Sequence, residues 1–259
     1  MLRAFGSITS AVLLGFVLAG SHAAVADEVK VIEAPKVEDK NPPPDLDVVM
    51  AGIIEQTNAF RKAEDRTAVK RNAALNDAAA YFAEYMASTN RYGHTADDTE
   101  PADRASKYKY DHCLVSENIA YVFNSEGFTA EKMAEQFTTG WKNSPGHRKN
   151  MLDPDATETA VAVARSAKTG HYFAVQMFAR PKSDAYTFSV QNGSTESFTY
   201  KVGDTEYSLE PAITRTHLTC RTPIVTYNVT ADKKEGDTVK PVQRQKLVAT
   251  KQTEMWTLK

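Results

Sequence analysis

Apolar residues recur at helical spacing in three stretches of the chain, residues 47–60, 72–88 and 128–141. The second stretch shows it most clearly, with spacings of i, i+3, i+4, i+7 and i+11 for Leu75, Ala78, Ala79, Phe82 and Met86. Such a stripe is typical of a helix that buries one side against a core. We therefore predict three amphipathic helices whose apolar residues are structural and carry no chemistry.

Strand patterns lie between and after these helices. Residues 159–165 alternate alanine and valine, and residues 172–178 are rich in aromatic residues and valine, with a Gly170 turn between them. The pair is therefore predicted to be a hairpin, and residues 119–123 also have strand composition. Helices interleaved with a few strands, some in sequential hairpins, indicate an α+β fold.

The pattern changes at residues 181–184, after which short apolar and aromatic runs alternate with turns. Residues 182–230 are predicted to form a small all-β module that resembles a β-sandwich and is near the lower size for independent folding. Residues 231–259 are rich in lysine and weakly periodic. We predict that this tail is partly disordered, with one last strand near Met255 and Trp256.

The first residues indicate export. Arg3 precedes an apolar run at residues 8–18, and small residues follow, so residues 1–26 are predicted to be a cleaved signal peptide. The apolar run is shorter than the roughly 20 residues that span a bilayer, and no later stretch is apolar enough to span one. Residues 27–46 are charged, end in Pro42-Pro-Pro44 and are predicted to be an extended linker. The mature protein is expected to be secreted or periplasmic.

Composition narrows the classes of partner. The chain is 42% hydrophobic and 25% charged, with a net charge of −2, which is ordinary globular composition without the basic surface that nucleic acid requires. Its two cysteines, Cys113 and Cys220, can form a disulfide in an oxidising compartment. Two separate buried thiols are the alternative, and no cysteine pair has metal-ligand spacing.

The stretch from Trp141 to Leu152 concentrates unusual residues. Pro145 disfavours helix at Ser144, and Gly146 permits a sharp turn, so His147 is predicted to head a short turn at a surface opening. A titratable group at such a break is a site candidate. An ordinary corner between helices with an exposed histidine remains the alternative.

Two further site candidates follow from similar breaks in pattern. His94 comes directly after Gly93, which ends the second predicted helix. Glu117 lies at the mouth of the predicted strand at residues 119–123. The polar loop between them is predicted to hold one short helical turn around Asp103.

Several motifs in order resemble the CAP superfamily, also called the SCP domain, in its bacterial secreted subtype. They cover about residues 47–181 and include Asn58-Ala-Phe-Arg61, His94, Ser116-Glu-Asn-Ile-Ala120, Trp141-x-x-Ser-Pro-Gly-His147 and Tyr172-x-x-Val-Gln-x-Phe178. The resemblance implies an α-β-α sandwich with a cleft that is lined by histidines and acidic residues.

The resemblance also implies a set of site residues. Matched by motif, His94, Glu117 and His147 line the cleft, with Ser144 where animal and plant members carry a second glutamate that Ser144 cannot replace as a base. Two imidazoles and a carboxylate suit zinc or another divalent metal, with His94 and His147 as ligands and an open position for water. His171 copies a Gly-His-Tyr motif of animal members, but its place in the chain order indicates a turn residue.

Three functions follow as alternatives. The first is an exported binding protein whose cleft or surface holds a small-molecule or lipid ligand or an extracellular protein partner, with or without a bound divalent metal and without established catalysis. The second is a metal-dependent peptide or ester hydrolase that uses His94, His147 and Glu117. The third, a hydrolase with Cys113 as nucleophile, is poorer because nothing orients a base toward that thiol.

Overall fold

The computed structural model describes residues 28–35, 41–228, 236–252 and 255–259. The predicted signal peptide lies outside the described residues. Among the helices of the described ranges, none is long and apolar enough to cross a membrane.

The N-terminal domain contains all five α-helices of the described residues. They are α1 (Leu46–Ala63), α2 (Ala73–Thr89), α3 (Pro101–Lys107), α4 (Ala130–Asn143) and α5 (Pro145–Met151). The strands of this domain are β1 (Lys30–Val31), β2 (Lys70–Arg71), β3 (Arg91–Tyr92), β4 (His112–Val122), β5 (Glu158–Arg165) and β6 (Tyr172–Pro181).

A four-stranded sheet in the order β2-β5-β6-β4 forms the middle layer of this domain. β2 pairs with β5 in parallel, and the other pairs are antiparallel. Side chains alternate between the two faces of a strand. On β6, Phe173, Val175 and Met177 pack with α2, whereas Tyr172, Ala174 and Phe178 pack with α1 and α4. The domain is therefore an α-β-α sandwich, and the predicted α+β class is confirmed.

Strand β4 lies at an edge of the sheet, where backbone groups need partners other than a strand. The carbonyl oxygen of Glu117 accepts a hydrogen bond from Asn150 Nδ2 at 3.1 Å. The carbonyl oxygen of Ile119 accepts from Trp141 Nε1 at 3.1 Å and from Tyr92 Oη at 3.2 Å. Side chains from α4, α5 and β3 therefore cover this edge and fix those elements beside Glu117.

The buried Arg61 on α1 fixes the loop that follows α5. Its guanidinium donates to the carbonyl oxygens of Met151 at 2.7 Å, Asp153 at 3.0 Å and Ala156 at 3.2 Å. Its Nε donates to the carbonyl oxygen of Thr67 at 2.8 Å. Buried backbone acceptors require such donors. The arginine of the Asn-Ala-Phe-Arg motif therefore has a structural role, which is to hold this loop in place.

The segment predicted to be an extended linker is partly bound to the domain. β1 pairs antiparallel with β3, and Ile32 is buried in the core on the α2 side of the sheet. Part of the predicted linker thus contributes to the domain, because two apolar side chains, Val29 and Ile32, pack against it. Residues 36–40 lie outside the described residues.

The C-terminal module is a sandwich of two four-stranded sheets. Its strands are β7 (Tyr186–Asn192), β8 (Phe198–Val202), β9 (Thr205–Leu209), β10 (Thr214–Thr219), β11 (Val225–Tyr227), β12 (Asp237–Val239), β13 (Lys246–Gln252) and β14 (Met255–Leu258). The sheet orders are β10-β7-β13-β14 and β12-β11-β8-β9. Both sheets contribute side chains to one core, among them Phe188 and Leu247 from the first sheet and Phe198 and Val225 from the second.

The described residues after 235 form three strands, and β14 lies where one last strand was predicted in the tail. Leu247 and Ala249 alternate with less buried neighbours along β13, and Leu258 of β14 is also buried. The ring of Trp256 lies 4.7 Å from that of Phe198. The module therefore extends well beyond residue 230, because its core needs these apolar residues. Because lysine is frequent in this segment, the alternation of buried and exposed positions is not apparent from the sequence.

The module is joined covalently to the N-terminal domain. Cys113 at the start of β4 and Cys220 after β10 form a disulfide, with Cα atoms 5.2 Å apart. The buried Asp155 Oδ1 accepts hydrogen bonds from the backbone nitrogen of Thr222 at 2.9 Å and from Tyr186 Oη at 3.2 Å. Arg221 Nη1 pairs with Asp153 at 2.9 Å. The loop that Arg61 holds is thus also the docking surface of the module.

Two histidines for which we expect no site role are buried, His171 in the N-terminal domain and His217 in the β module. His171, predicted to be a turn residue, lies just after the turn between β5 and β6 and is buried in an aromatic cluster, with ring centroids 5.5 Å from Tyr121 and 5.3 Å from Phe123. His217 accepts or donates a 2.8 Å hydrogen bond with Tyr200 in the module core. Burial lowers the pKa of both histidines, and for His217 the charge of Arg215 lowers it further.

This burial predicts a pH-dependent stability. Because both pKa values are lower in the folded protein, the unfolded chain binds more protons as the pH falls through its ordinary histidine pKa of about 6.5. The free energy of unfolding should therefore decrease from about pH 7.5 to pH 5.5, by at most about 1.4 kcal/mol per pH unit for each histidine. Urea denaturation across this range measures it, and His171→Gln or His217→Gln should each flatten the slope. An unchanged slope in both variants would contradict the prediction.

Candidate functional site

His94 and Glu117 are in direct contact. His94 Nδ1 lies 2.8 Å from Glu117 Oε1, and since a carboxylate accepts hydrogen bonds, Nδ1 carries the proton. The Glu117 side chain is fully buried, whereas that of His94 is 29% exposed. The pair therefore presents an imidazole to the surface and keeps its carboxylate beneath.

Backbone geometry after α2 places His94. Asn90 ends α2 in the left-handed conformation, and its side chain accepts hydrogen bonds from Ser166 at 2.7 Å and Thr169 at 3.1 Å. Gly93 has a φ of +149°, and a Cβ there would lie 3.2 Å from Val29 Cα. A larger residue would therefore be strained and would push against Val29, just before β1. This requirement accounts for the glycine before His94.

Arg104 on α3 holds Glu117. Its Nη2 donates to Glu117 Oε1 at 3.0 Å and Oε2 at 2.9 Å, and to the carbonyl oxygen of His94 at 2.9 Å. Its Nη1 donates to Asp97 Oδ1 at 2.8 Å and to the carbonyl oxygen of Thr99 at 2.8 Å. One guanidinium thus connects the loop that carries His94 with the strand that carries Glu117.

The Arg104 side chain is itself 1% exposed. Its Cζ lies 3.6 Å from the centroid of the Phe82 ring on α2, which adds a cation–π contact. Asp97 and Glu117, whose side chains are 1% and 0% exposed, lie on either side of this cation. A buried carboxylate is tolerated only with such pairing, so Arg104 is required for Glu117 to be charged in this position.

His147 is the third residue of α5 and lies in the first turn of this seven-residue helix. Its carbonyl oxygen accepts a 3.2 Å hydrogen bond from Asn118 Nδ2, the residue after Glu117. Asn150 of the same helix donates to Asn118 Oδ1 at 2.9 Å. The two asparagines therefore satisfy backbone groups and fix α5 against β4.

Ser144 lies at the junction where α4 ends and α5 begins. It occupies the N-cap position of α5, but its side chain makes no capping hydrogen bond. Arg148, two residues beyond the Pro-Gly pair, forms an exposed ion pair with Glu64 at 2.7 Å. The motif from Trp141 to Leu152 is thus chiefly a structural corner that brings His147 to the edge of the sheet.

The predicted site residues lie on neighbouring elements. His94 contacts Glu117, and the backbone of His147 is bonded to Asn118, one residue from Glu117. Arg104, which was not predicted, donates to both oxygens of the carboxylate. Within the described ranges, no group of three or more His, Cys, Asp or Glu side chains could hold a metal ion.

The arrangement does not fit a divalent metal at Glu117. Both carboxylate oxygens accept from a guanidinium within 3.0 Å, so a metal bound there would face a buried positive charge at close range. Unlike charges attract and like charges repel most strongly where water is excluded. The expected zinc ligands His94 and His147 stay a prediction, but Glu117 is not presented to a metal in this arrangement.

Sequence patterns missed Arg104 and Asp97. A lone arginine in a polar loop gives no signal of burial, since most arginines are exposed. The helical turn predicted around Asp103 exists, and Arg104 and Ala105 are its buried residues. Only the three-dimensional packing of this turn on Phe82 identifies the arginine as part of the site. Cys113, in a disulfide, cannot serve as a nucleophile.

The α-β-α sandwich and the motifs around the His94–Glu117 pair define the class of protein to which the chain belongs. Comparison with known proteins gives the name of that class. Residues 54–178 match the model of the Cysteine-rich secretory protein family, CAP. A Bacillus subtilis protein named Uncharacterized protein YkwD is 26% identical over 149 residues, which is 55% of this chain and 55% of that protein. The chain thus spans about half the length of this curated relative.

Two solved structures are also similar. An extracellular protein with an SCP domain from Bacillus anthracis is 27% identical, with a TM-score of 0.44 over 52% of this chain and 41% of that chain. An outer surface protein from Borrelia burgdorferi is 19% identical, with a TM-score of 0.47 over 53% and 96%. Since both TM-scores are below 0.5, the assignment depends on the family match and the motifs. Through residues 54–178 the chain belongs to the CAP superfamily.

The Arg104–Glu117 pair generates a stability prediction. Arg104→Gln leaves two buried carboxylates without a cation and should lower the free energy of unfolding by about 3–5 kcal/mol. The double variant Arg104→Gln/Glu117→Gln should lose less than the sum of the two single variants, because it leaves fewer uncompensated charges. Urea denaturation of the four proteins measures this coupling.

Arg148→Gln is a matched control, since its ion pair with Glu64 is about 40% exposed on both sides. Its effect should stay below about 1 kcal/mol. A loss for Arg104→Gln no larger than that of Arg148→Gln would contradict the account of the site.

Proposed function

We propose that this CAP protein is an exported binding protein without hydrolytic activity, and that its ligand contacts the exposed part of His94. The proposal depends on the observation that both carboxylate oxygens of Glu117 accept hydrogen bonds from Arg104. A fully buried carboxylate that accepts from both a guanidinium and an imidazole is a structural anion that holds His94 in one orientation.

The alternative, a metal-dependent hydrolase that uses His94, His147 and Glu117, has less support. A general base must come within hydrogen-bond reach of the water that it deprotonates. The Glu117 side chain is fully buried, and Ser144 offers no carboxylate in its place. A metal that activates water at neutral pH would itself need ligands that Arg104 does not already engage.

An amphipathic small molecule is the ligand class that suits the surroundings of His94. Glu117 and Tyr121 point to the same face of β4 and are four residues apart, a separation of about 13 Å along a strand. Tyr121 is 40% exposed, and its ring packs edge-on against Tyr92 with centroids 4.9 Å apart. A polar group at His94 and an apolar chain over Tyr121 would match this spacing, which favours a lipid-like ligand over an extracellular protein partner.

Export is part of the proposal. The predicted signal peptide supports it, and so does the Cys113–Cys220 disulfide, because such bonds persist in oxidising compartments. Secretion and the periplasm are equally consistent with both features.

Ligand binding is tested with a fluorescent fatty acid as probe, titrated into the purified protein. We expect saturable binding that weakens about fivefold or more in Tyr121→Ala and in His94→Ala, because each removes one end of the contact surface. Leu218→Ala is the matched control, since Leu218 is an exposed apolar residue of the β module. Equal binding by all four proteins, or none by the unaltered protein, would overturn the proposed ligand class.

The hydrolase alternative is tested separately by thermal unfolding with zinc or with chelator, and by turnover of generic peptide and ester substrates. Metal that binds the folded state raises the unfolding midpoint by mass action. We expect no rise and no turnover. A rise that His94→Ala and His147→Ala each abolish, with turnover lost in Glu117→Gln, would establish the hydrolase and refute the binding protein.

A further inference from the structure

A tyrosine-rich groove lies on the outer face of α2, away from the sheet and next to the end of α3. It has a volume of about 530 Å³ and is lined by Tyr81, Tyr85 and Tyr108 together with Asp77 and Glu84. The four α2 residues share one side of the helix, because spacings of three and four residues bring side chains together. All three tyrosines are partly exposed. Neither the proposed function nor the family motifs involve this surface.

The three rings are arranged around Tyr81. Its centroid lies 6.4 Å from that of Tyr85, with ring planes at 38°, and 5.9 Å from that of Tyr108, with planes at 43°. Tilted rings at these distances form a concave aromatic wall rather than a flat stack. Aromatic walls of this kind attract cations through the negative faces of their rings.

The charges at the groove have the sign that a cation requires. Asp77 and Glu84 are exposed, and within the described part of the chain neither forms an ion pair or a side-chain hydrogen bond. Even when the neighbouring Lys107 is counted, these two carboxylates leave an excess of one negative charge beside the aromatic surface.

The chain itself shows that the Tyr81 ring accepts an ammonium. Lys107 Nζ lies 4.3 Å from the ring centroid, within the distance at which a cation–π contact forms. Lys107 is exposed and sits on a flexible stem, so it can leave the ring when another cation arrives. Burial and the neighbouring carboxylate of Asp97 raise the pKa of Tyr81, so its phenol stays neutral.

We propose that this groove is a binding site for an alkylammonium group, which would contact the Tyr81 ring and be balanced by Glu84 and Asp77. The group could belong to a free quaternary ammonium compound or to a lysine side chain of a peptide. This site is separate from His94 and stands independently of the proposed function.

The test is an NMR titration of the purified protein with tetramethylammonium and, in a second arm, with tetralysine. Saturable shifts of the α2 amides with either probe are expected, and the probe that binds more tightly identifies the source of the group. Tyr81→Ala and Glu84→Gln should each weaken binding about fivefold, as expected for loss of one cation–π or charge contact. Lys107→Ala should strengthen binding, because it removes the competing ammonium.

Two controls keep the result interpretable. Tyr81→Phe retains the ring and should bind nearly as well as the unaltered protein, which separates the ring from the hydroxyl that faces Asp97. Glu206→Gln removes a carboxylate from the module that is 64% exposed, and it should leave binding unchanged. The absence of saturable shifts with both probes would overturn the proposal. Equal weakening by Glu84→Gln and Glu206→Gln would overturn it too, since it indicates attraction to net charge alone.

Discussion

The site of this CAP protein depends on one buried cation. Arg104 lies between Glu117 and Asp97, donates to the backbone of His94 and rests on the ring of Phe82. A carboxylate as deeply buried as Glu117 is costly unless a cation accompanies it. Without Arg104 the His94–Glu117 contact would lose its electrostatic basis, and the loop that carries His94 would lose its link to the sheet. The same contact makes Glu117 a poor partner for a metal ion.

The corner on the other side of β4 is fixed by a second set of contacts. Asn118 and Asn150 bind α5 to the strand that carries Glu117, while Arg61 holds the carbonyl groups of the loop that follows α5. The β module docks on that same loop through Asp155 and is tied by Cys220 to the first residues of β4. The module therefore braces the elements that position Glu117 and His147, in addition to any surface that it offers.

The sequence predicted the parts of the fold that depend on regular spacing. The apolar stripes of α1, α2 and α4 and the hairpin of β5 and β6 repeat with the period of their element, so their boundaries differ from the structure by only a few residues. Irregular features were harder to predict. Two buried positions on β13 are too few to stand out among lysines. Val29 and Ile32 flank β1, a two-residue strand that has no pattern of its own. His94 and Glu117 were found through motifs, but motifs carry no information on which cation neutralises a buried carboxylate. Arg104 could be recognised only after folding had placed it on Phe82.

A crystal structure of the protein soaked with zinc near neutral pH tests the central claim most directly. We expect Arg104 Nη2 to stay within about 3 Å of both oxygens of Glu117, as a charge-assisted hydrogen bond requires. We also expect no zinc ion at the roughly 2.0–2.2 Å that separates the metal from nitrogen and oxygen ligands. A zinc ion bound jointly by His94 and Glu117, with the guanidinium displaced, would contradict it.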